Sequence, residues 1–364
     1  MADDKDPLLD AITDVVPKLL GTLEIFEQLQ ERVPQGEYQT FAELLAPNAS
    51  ELANAALEFS AVAVPEDLAE LCGYISESCT YALRGAENIR KHAEGFGMVM
   101  RAMRAMRKAQ SSIYPLSPFM SPVSQFFLEP AARSNTNLIK ALGEGARREQ
   151  VGLHHASNSL DERGGFSLYV PENLDLDRPA SLVIALHGGT GHGADFLWSW
   201  LREARTRGFI VLAPTSQQDT WSLMGEEHDL PALLSVLDLV RSHWLIDESH
   251  ILLTGMSDGG TYSLLAGLRP DSPFTHLAPF SGVLHPEIVM SGNLRFASGR
   301  DIYLVHGTRD WMFPIESAYM ARAELEQAGA NLKFREIEGL SHTYARSENP
   351  ALIHWFNNKL AIPS

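Results

Sequence analysis

Residues 251–265 read Ile251-Leu252-Leu253-Thr254-Gly255-Met256-Ser257-Asp258-Gly259-Gly260-Thr261-Tyr262-Ser263-Leu264-Leu265. A short apolar run suited to a buried strand enters a Gly-x-Ser-x-Gly pentapeptide, and a helix-forming segment follows at once. A serine that is to act as a nucleophile has to stand on a sharp, strained turn between strand and helix, where flanking side chains would collide. The glycines meet that need, so Ser257 is the candidate nucleophile. The competing reading is an ordinary turn serine, because the pentapeptide alone is a weak pattern.

A serine hydroxyl needs a base to take its proton and a third group to orient the base. Both follow downstream in the order Ser, acid, His. The segment Asp301-Ile302-Tyr303-Leu304-Val305 reads as a strand, and the chain leaves it through His306-Gly307-Thr308 to Asp310. Leu332–Ile337 alternates as another strand and runs into Gly339-Leu340-Ser341-His342. A carboxylate and an imidazole just past strand ends lie on the carboxyl rim of an open α/β sheet, where ligands bind. Each has a plainer reading, Asp310 as a helix cap near Pro314 and His342 as a surface loop residue. The shared order and placement favour the triad Ser257, Asp310 and His342.

Upstream, the apolar strand Leu182–Leu186 ends in His187-Gly188-Gly189-Thr190-Gly191. Acyl transfer creates a negative oxygen that needs fixed N–H donors, and glycines let a backbone come close enough to supply them. The donors are assigned to the N–H groups of Gly189 and Asp258, an oxyanion hole, with Gly188 beside the substrate. A phosphate cradle is the rival reading, but the loop lacks a P-loop lysine and the spacing of a dinucleotide fingerprint. His187 reads as a support that holds the loop by hydrogen bonds rather than as a second base. Trp221 and Trp311, with Met312 and Phe313, fall in rim loops and are assigned to a substrate pocket; ordinary packing is the alternative.

Through LHGGTG, LIDESHILLTGMSDGG, HGTRDWMFP and GLSH, the chain from about residue 150 to its end resembles an α/β-hydrolase-fold serine esterase. It is similar to the group of polyhydroxybutyrate-depolymerase-like, feruloyl-esterase-like and phospholipase/carboxylesterase-like enzymes. The resemblance implies an α/β-hydrolase fold with a mainly parallel, doubly wound sheet. It also implies carboxylic ester hydrolysis through an acyl-enzyme on a small or polymeric ester, with no metal and no cofactor. The same triad could cut a peptide or a thioester, although peptidases of this fold commonly carry a β-propeller where this chain has helices. A binding or scaffold protein acting through the helices would be expected to have a damaged triad, and here every element is intact.

Length and composition frame this reading. The chain of 364 residues is 45% hydrophobic and 21% charged, ordinary for a globular protein that buries a large core. A formal net charge of −17 argues against nucleic-acid binding, whose footprint is basic. The acidic start and the lack of an apolar run of about 18 residues predict no secretory signal and no membrane span, hence a cytoplasmic location. Cys72 and Cys79, seven apart on one helix, would be about 10 Å apart, too far for a disulfide. They read as buried free thiols in a reducing compartment.

The organisation expected is a helical N-terminal domain over residues 1–148, a lid or an oligomerisation module, and a catalytic domain over 149–364. Leu8, Ile12, Val15, Val16, Leu19, Leu20, Leu23 and Phe26 recur at helical spacing over Pro7–Val33. Thr40–Leu45 and Ala49–Phe59 read as two shorter helices, Pro65–His92 as a longer one and Asn137–Arg148 as the last. Residues 1–97 hold 18 acids against 6 bases, and residues 98–150 hold 3 acids against 8 bases. In the basic part, Val99, Met103 and Met106 share one helix face while Arg101, Arg104 and Lys108 share the other. A lipid-facing helix is the sharp reading; a core stripe with arginines paired to the acidic helices is the one preferred. Four prolines within residues 113–130 predict an extended segment, whose Phe119, Met120, Phe126 and Phe127 would dock the helical domain. Only about 20 residues separate Ser281 from Arg300, too few for a large lid.

Overall fold

The computed structural model describes residues 6–34 and 36–363. They form two compact units, one ending at Gly143 and one starting at Glu144.

The first unit is helical: α1 (Pro7–Arg32), α2 (Tyr38–Ser60), α3 (Ala69–Arg90), α4 (Phe96–Ile113), α5 (Ser121–Phe126) and all but the last two residues of α6 (Thr136–Gly145). The stripe on α1 is core, with Val15, Val16, Leu19, Leu20, Leu23 and Phe26 buried. Asp6 caps α1 by accepting the N–H of Leu8, and Pro7 occupies the first helical position. The two short helices expected around Pro47 are instead the single helix α2. An interior proline costs a helix about 3 kcal/mol. Burial of Phe41, Leu45, Leu52, Ala55 and Phe59 offsets it at roughly 1.5–3 kcal/mol per large side chain.

The methionine-rich stripe of α4 is likewise core: Val99 and Met106 are buried, while Arg101, Arg104 and Lys108 face solvent. Arg107 and Gln110 reach Glu27 of α1 at 3.6 and 2.6 Å, the pairing of basic and acidic helices expected. Cys72 and Cys79 are buried and unbridged, and burial pushes the Cys79 thiol up to about 12. The extended segment expected at 113–130 is not extended. Pro115 and Pro130 lie in single 3-10 turns, and Pro122 lies in the first turn of α5, positions where a missing N–H costs nothing. Phe126 and Phe127 are buried, packing edge-on to each other and Phe127 onto Tyr114 of the same unit, and Phe119 is exposed.

The second unit runs β1 (Gly152–Ala156), β2 (Phe166–Val170), β3 (Ala180–Leu186), α7 (Gly193–Phe196), α8 (Leu201–Arg207), β4 (Ile210–Pro214), α9 (Asp229–His243) and β5 (Ile246–Met256). It continues through α10 (Asp258–Gly267), β6 (His276–Phe280), α11 (Pro286–Met290), β7 (Asp301–Gly307), α12 (Ile315–Gln327), β8 (Asn331–Ile337) and α13 (Asn349–Phe356). The strands form one sheet in the order β1-β2-β4-β3-β5-β6-β7-β8. β1 and β2 form an antiparallel hairpin, β2 pairs antiparallel with β4, and the rest of the sheet is parallel. The expectation of a mainly parallel, doubly wound α/β-hydrolase sheet behind a helical N-terminal region is borne out.

β3 and β4 are buried throughout, which is why they read as unbroken apolar runs. From β3 the chain moves to β4 on one side, then crosses to β5 on the other. The connections therefore diverge at the carboxyl ends of β3 and β5 and leave a crevice there. Between β6 and β7 lie only α11 and one 3-10 turn, the short insertion that the sequence indicated.

Candidate active site

Ser257 is the single residue between β5 and α10, with φ 57° and ψ −118°. A non-glycine residue there is strained, and its neighbours hold it: its N–H donates to Phe280 O at 2.8 Å and its carbonyl accepts from Thr261 N–H at 2.9 Å. Gly259 is required by close approach. A Cβ on it would stand 2.5 Å from the carbonyl oxygens of both Leu186 and His187, so α10 starts hard against the end of β3.

His342, in the loop after β8, reaches both partners. Its Nε2 lies 2.9 Å from Ser257 Oγ and its Nδ1 2.8 Å from Asp310 Oδ2. A carboxylate can only accept, so Nδ1 carries the proton and Nε2 is left to accept from the serine hydroxyl. Asp310 is set by its own turn after β7, where Oδ1 accepts the N–H groups of Met312 and Phe313 at 3.0 and 2.8 Å. Burial pushes the Asp310 carboxyl up. The hydrogen bonds from His342 and Phe313 N–H, with the nearby His342 and His306 rings, outweigh it and hold the group below its ordinary range. The Asp310 and His306 side chains are both fully buried, and His306 Nε2 is 3.6 Å from Oδ2. The His306 ring also contacts the carbonyl of Phe313 at 2.8 Å. The Ser-His-Asp contacts span three separate loops, and each leaves the carboxyl end of its strand.

The loop after β3 is pinned from below. His187 is buried; its Nε2 accepts from Ser216 N–H at 3.0 Å, so its Nδ1–H donates to Gly188 O at 2.7 Å. Burial holds this imidazole down to about 3, with the Arg163 and His192 charges adding to the effect. It is therefore a neutral support, as its place in the sequence suggests. Trp221 differs from expectation: it is 3% exposed, donates its indole N–H to His187 O at 2.7 Å and stacks on Tyr262. It belongs to the packing beneath the loop and offers no face to a substrate.

The loop meets the elbow at Gly189, where a Cβ would stand 2.7 Å from Asp258 Oδ2. That carboxylate accepts the Thr220 hydroxyl at 2.5 Å. Among the described residues, neither the Gly189 N–H nor the Asp258 N–H donates to a protein acceptor. Gly188 packs against Ser257 and Met256, its Cβ position 3.5 Å from Ser257 Cβ. Trp311 is 54% exposed, with its ring edge-on to His342 at 6.2 Å, and Phe313 meets the same imidazole at 5.5 Å. Of the two tryptophans assigned to a pocket, only Trp311 is placed to meet a ligand. Among the described residues no group of three or more His, Cys, Asp or Glu is arranged to hold a metal ion, and no helix is long and apolar enough to cross a membrane.

Arg163 is the site-region residue that the sequence did not flag. Its guanidinium binds the Gly191 carbonyl at 2.7 Å and the Ser216 carbonyl at 3.2 Å, tying the loops after β3 and β4 together. Backbone carbonyls such as those of Gly191, Ser216 and Gln218, which Arg163 binds, leave no partner pattern in the sequence. The only cue is its place in Asp161-Glu162-Arg163-Gly164-Gly165, a glycine-bearing turn within a hairpin.

A family model for phospholipase/carboxylesterase matches residues 228–358, the segment that carries β5, Ser257, Asp310 and His342. Over 148 residues the chain is 28% identical to the bifunctional acetylxylan esterase/xylanase XynS20E of Neocallimastix patriciarum. The alignment covers 39% of this chain and 21% of that protein, so the chain spans about a fifth of the length of the curated relative it matches. Among solved structures, acetyl xylan esterase from Aspergillus awamori is 18% identical with a TM-score of 0.48, covering 58% of this chain and 100% of that one. S-formylglutathione hydrolase from Staphylococcus aureus is 14% identical with a TM-score of 0.47, covering 57% and 98%. The family match bears out the expected likeness to carboxylic ester hydrolases over residues 228–358.

Proposed function

We propose that this chain is a serine carboxylesterase that works through an acyl-enzyme on Ser257. The observation that carries the reading is the continuous line of hydrogen bonds from Ser257 Oγ through His342 to Asp310, at 2.9 and 2.8 Å, beside two unspent N–H groups. In the first step His342 Nε2 takes the serine proton as Oγ attacks the ester carbonyl carbon. Asp310, kept ionised by the donors around it, faces the imidazolium that forms. The N–H groups of Gly189 and Asp258 receive the oxyanion. When the intermediate collapses, His342 returns the proton to the departing alcohol, and water then repeats the sequence against the acyl group.

The catalytic groups all belong to the segment 149–364, and the helices of 1–148 form a separate domain for recognition or self-association. A short acyl group fits the likeness to an acetylxylan esterase/xylanase. The exposed ring of Trp311 offers a surface for the alcohol part.

The test is hydrolysis of p-nitrophenyl esters from acetate to palmitate by wild type and Ser257→Ala. The reading expects the highest kcat/KM at the short end and a loss of about 10⁴-fold or more in the variant. Folded wild type without activity on any ester would exclude it, as would an unimpaired variant.

A further inference from the structure

The glycine-rich loop after β3 poses a physical problem. An oxyanion donor is worth several kcal/mol only if it is already aimed when charge develops, yet Gly188-Gly189-Thr190-Gly191 is among the least constrained kinds of backbone. Something outside the loop has to fix it. Thr190 sits at φ 55°, a conformation it would not hold unaided, and its N–H donates to Asp219 O at 2.7 Å. The Gly191 N–H turns back to Gly188 O at 2.9 Å, and the Gly191 carbonyl accepts from the Arg163 guanidinium at 2.7 Å.

That carbonyl is where Arg163 acts. From the turn between β1 and β2, its half-buried side chain sends Nη1 to Gly191 O at 2.7 Å, Nε to Ser216 O at 3.2 Å, and Nη2 to both Ser216 Oγ and Gln218 O. The same 216–220 loop supplies the Ser216 N–H to His187 and the Thr220 hydroxyl to Asp258, the residue next to Ser257. One planar group therefore joins the two loops that flank the oxyanion position, and its rigid fork of donors suits four acceptors in fixed directions as a lysine would not. We propose that Arg163 is a positioning residue for the oxyanion hole: by clamping the Gly191 carbonyl to the 216–218 backbone, it keeps the Gly189 N–H aimed at the ester oxygen. The inference rests on the serine-esterase reading given above.

The experiment measures kcat and KM for p-nitrophenyl acetate, and inhibition by phenylboronic acid, whose serine adduct mimics the tetrahedral intermediate. It compares wild type, Arg163→Ala and Arg163→Lys, with thermal melts of each. Removing one oxyanion donor outright costs about 10²–10³ in kcat, and misaiming one should cost about 10–100-fold. The expected result is that loss in kcat for Arg163→Ala, with KM within about twofold and boronate affinity weakened by the same factor as kcat. Millimolar guanidinium should restore part of the Arg163→Ala rate and none of the Arg163→Lys rate, because the lysine fills the space. If Arg163→Ala does not fold, Arg163→Lys carries the same split of kcat from KM. A kcat within twofold of wild type overturns the clamp, and so does a loss that appears in KM alone or that follows the unfolded fraction in the melts. Wild type that hydrolyses no ester overturns the esterase reading and the clamp together, whereas active wild type with an insensitive Arg163→Ala overturns the clamp alone.

Discussion

Replacing Asp310 by Asn isolates the orienting group without removing its volume. In the native turn, Oδ1 accepts two backbone N–H groups at 3.0 and 2.8 Å, and Oδ2 accepts the His342 Nδ1–H at 2.8 Å. The backbone donors hold the asparagine carbonyl on the Oδ1 side, so its NH₂ is turned toward His342 Nδ1. Two donors then face each other, and the imidazole responds by moving its proton to Nε2. That nitrogen lies 2.9 Å from Ser257 Oγ and can no longer accept the serine proton. Loss of the correct tautomer costs about 10⁴ in kcat in serine hydrolases, equivalent to about 5 kcal/mol of transition-state stabilisation. KM should change little, because the carboxylate is fully buried and touches no substrate. The assay is steady-state hydrolysis of p-nitrophenyl acetate by wild type and Asp310→Asn, with thermal melts to show that both are folded. A fall in kcat below about tenfold in folded variant would refute the argument from the tautomer.

Three further outcomes are expected. Gly259→Ala should lose about 2–4 kcal/mol of stability in urea and nearly all activity, because its Cβ would stand 2.5 Å from two carbonyl oxygens of the β3 end; a wild-type melt would contradict the packing described. Trp221→Phe should cost about 1–3 kcal/mol in the same assay by leaving the buried His187 carbonyl without its donor, and an unchanged midpoint would mean that this hydrogen bond is dispensable. His187 should make the protein acid-sensitive: its folded value of about 3 lies below the ordinary 6.5, so between those values the unfolded chain binds the proton and the folded one does not. Stability therefore falls as pH drops through that window, by up to ~1.4 kcal/mol per pH unit, and His187→Gln should lessen the slope by as much as one proton. Equal slopes in denaturation series at pH 6.5 and 4.5 would show that His187 takes no part.

What could be read from the sequence follows the physics of each element. β3, β4 and β6 are short apolar runs buried in the sheet, and the Gly-x-Ser-x-Gly turn announces itself because few residue types fit it. The approach of Ser257, His342 and Asp310 was legible because each follows a strand that can be recognised locally. β5 begins at Ile246, ahead of the apolar run at Ile251, and this start is hidden in the sequence because Asp247-Glu248-Ser249-His250 has the polarity of a turn; in the sheet Ile246 pairs with Ala180 of β3. Pro47 and Pro122 both read as helix breakers and both lie in helices, for different reasons. The first is carried inside a helix by the apolar face that helix buries, and the second starts a helix instead of forbidding one. Trp221 reads as a rim residue until the tertiary fold puts its indole N–H under His187. Arg163 is hidden for a related reason, since its known partners include three carbonyl oxygens that any sequence would supply.

The most direct test of the account is a pre-steady-state measurement: rapid mixing with p-nitrophenyl acetate, followed by acid quench and peptide mass spectrometry. With deacylation as the slower step, wild type should give a burst approaching one p-nitrophenolate per chain and a transient acetyl group on the peptide that contains Ser257. Ser257→Ala should give neither. Turnover in folded wild type with no acetylated peptide trapped at any quench time, or with the acetyl group on another side chain, would contradict the assignment of Ser257 as the nucleophile.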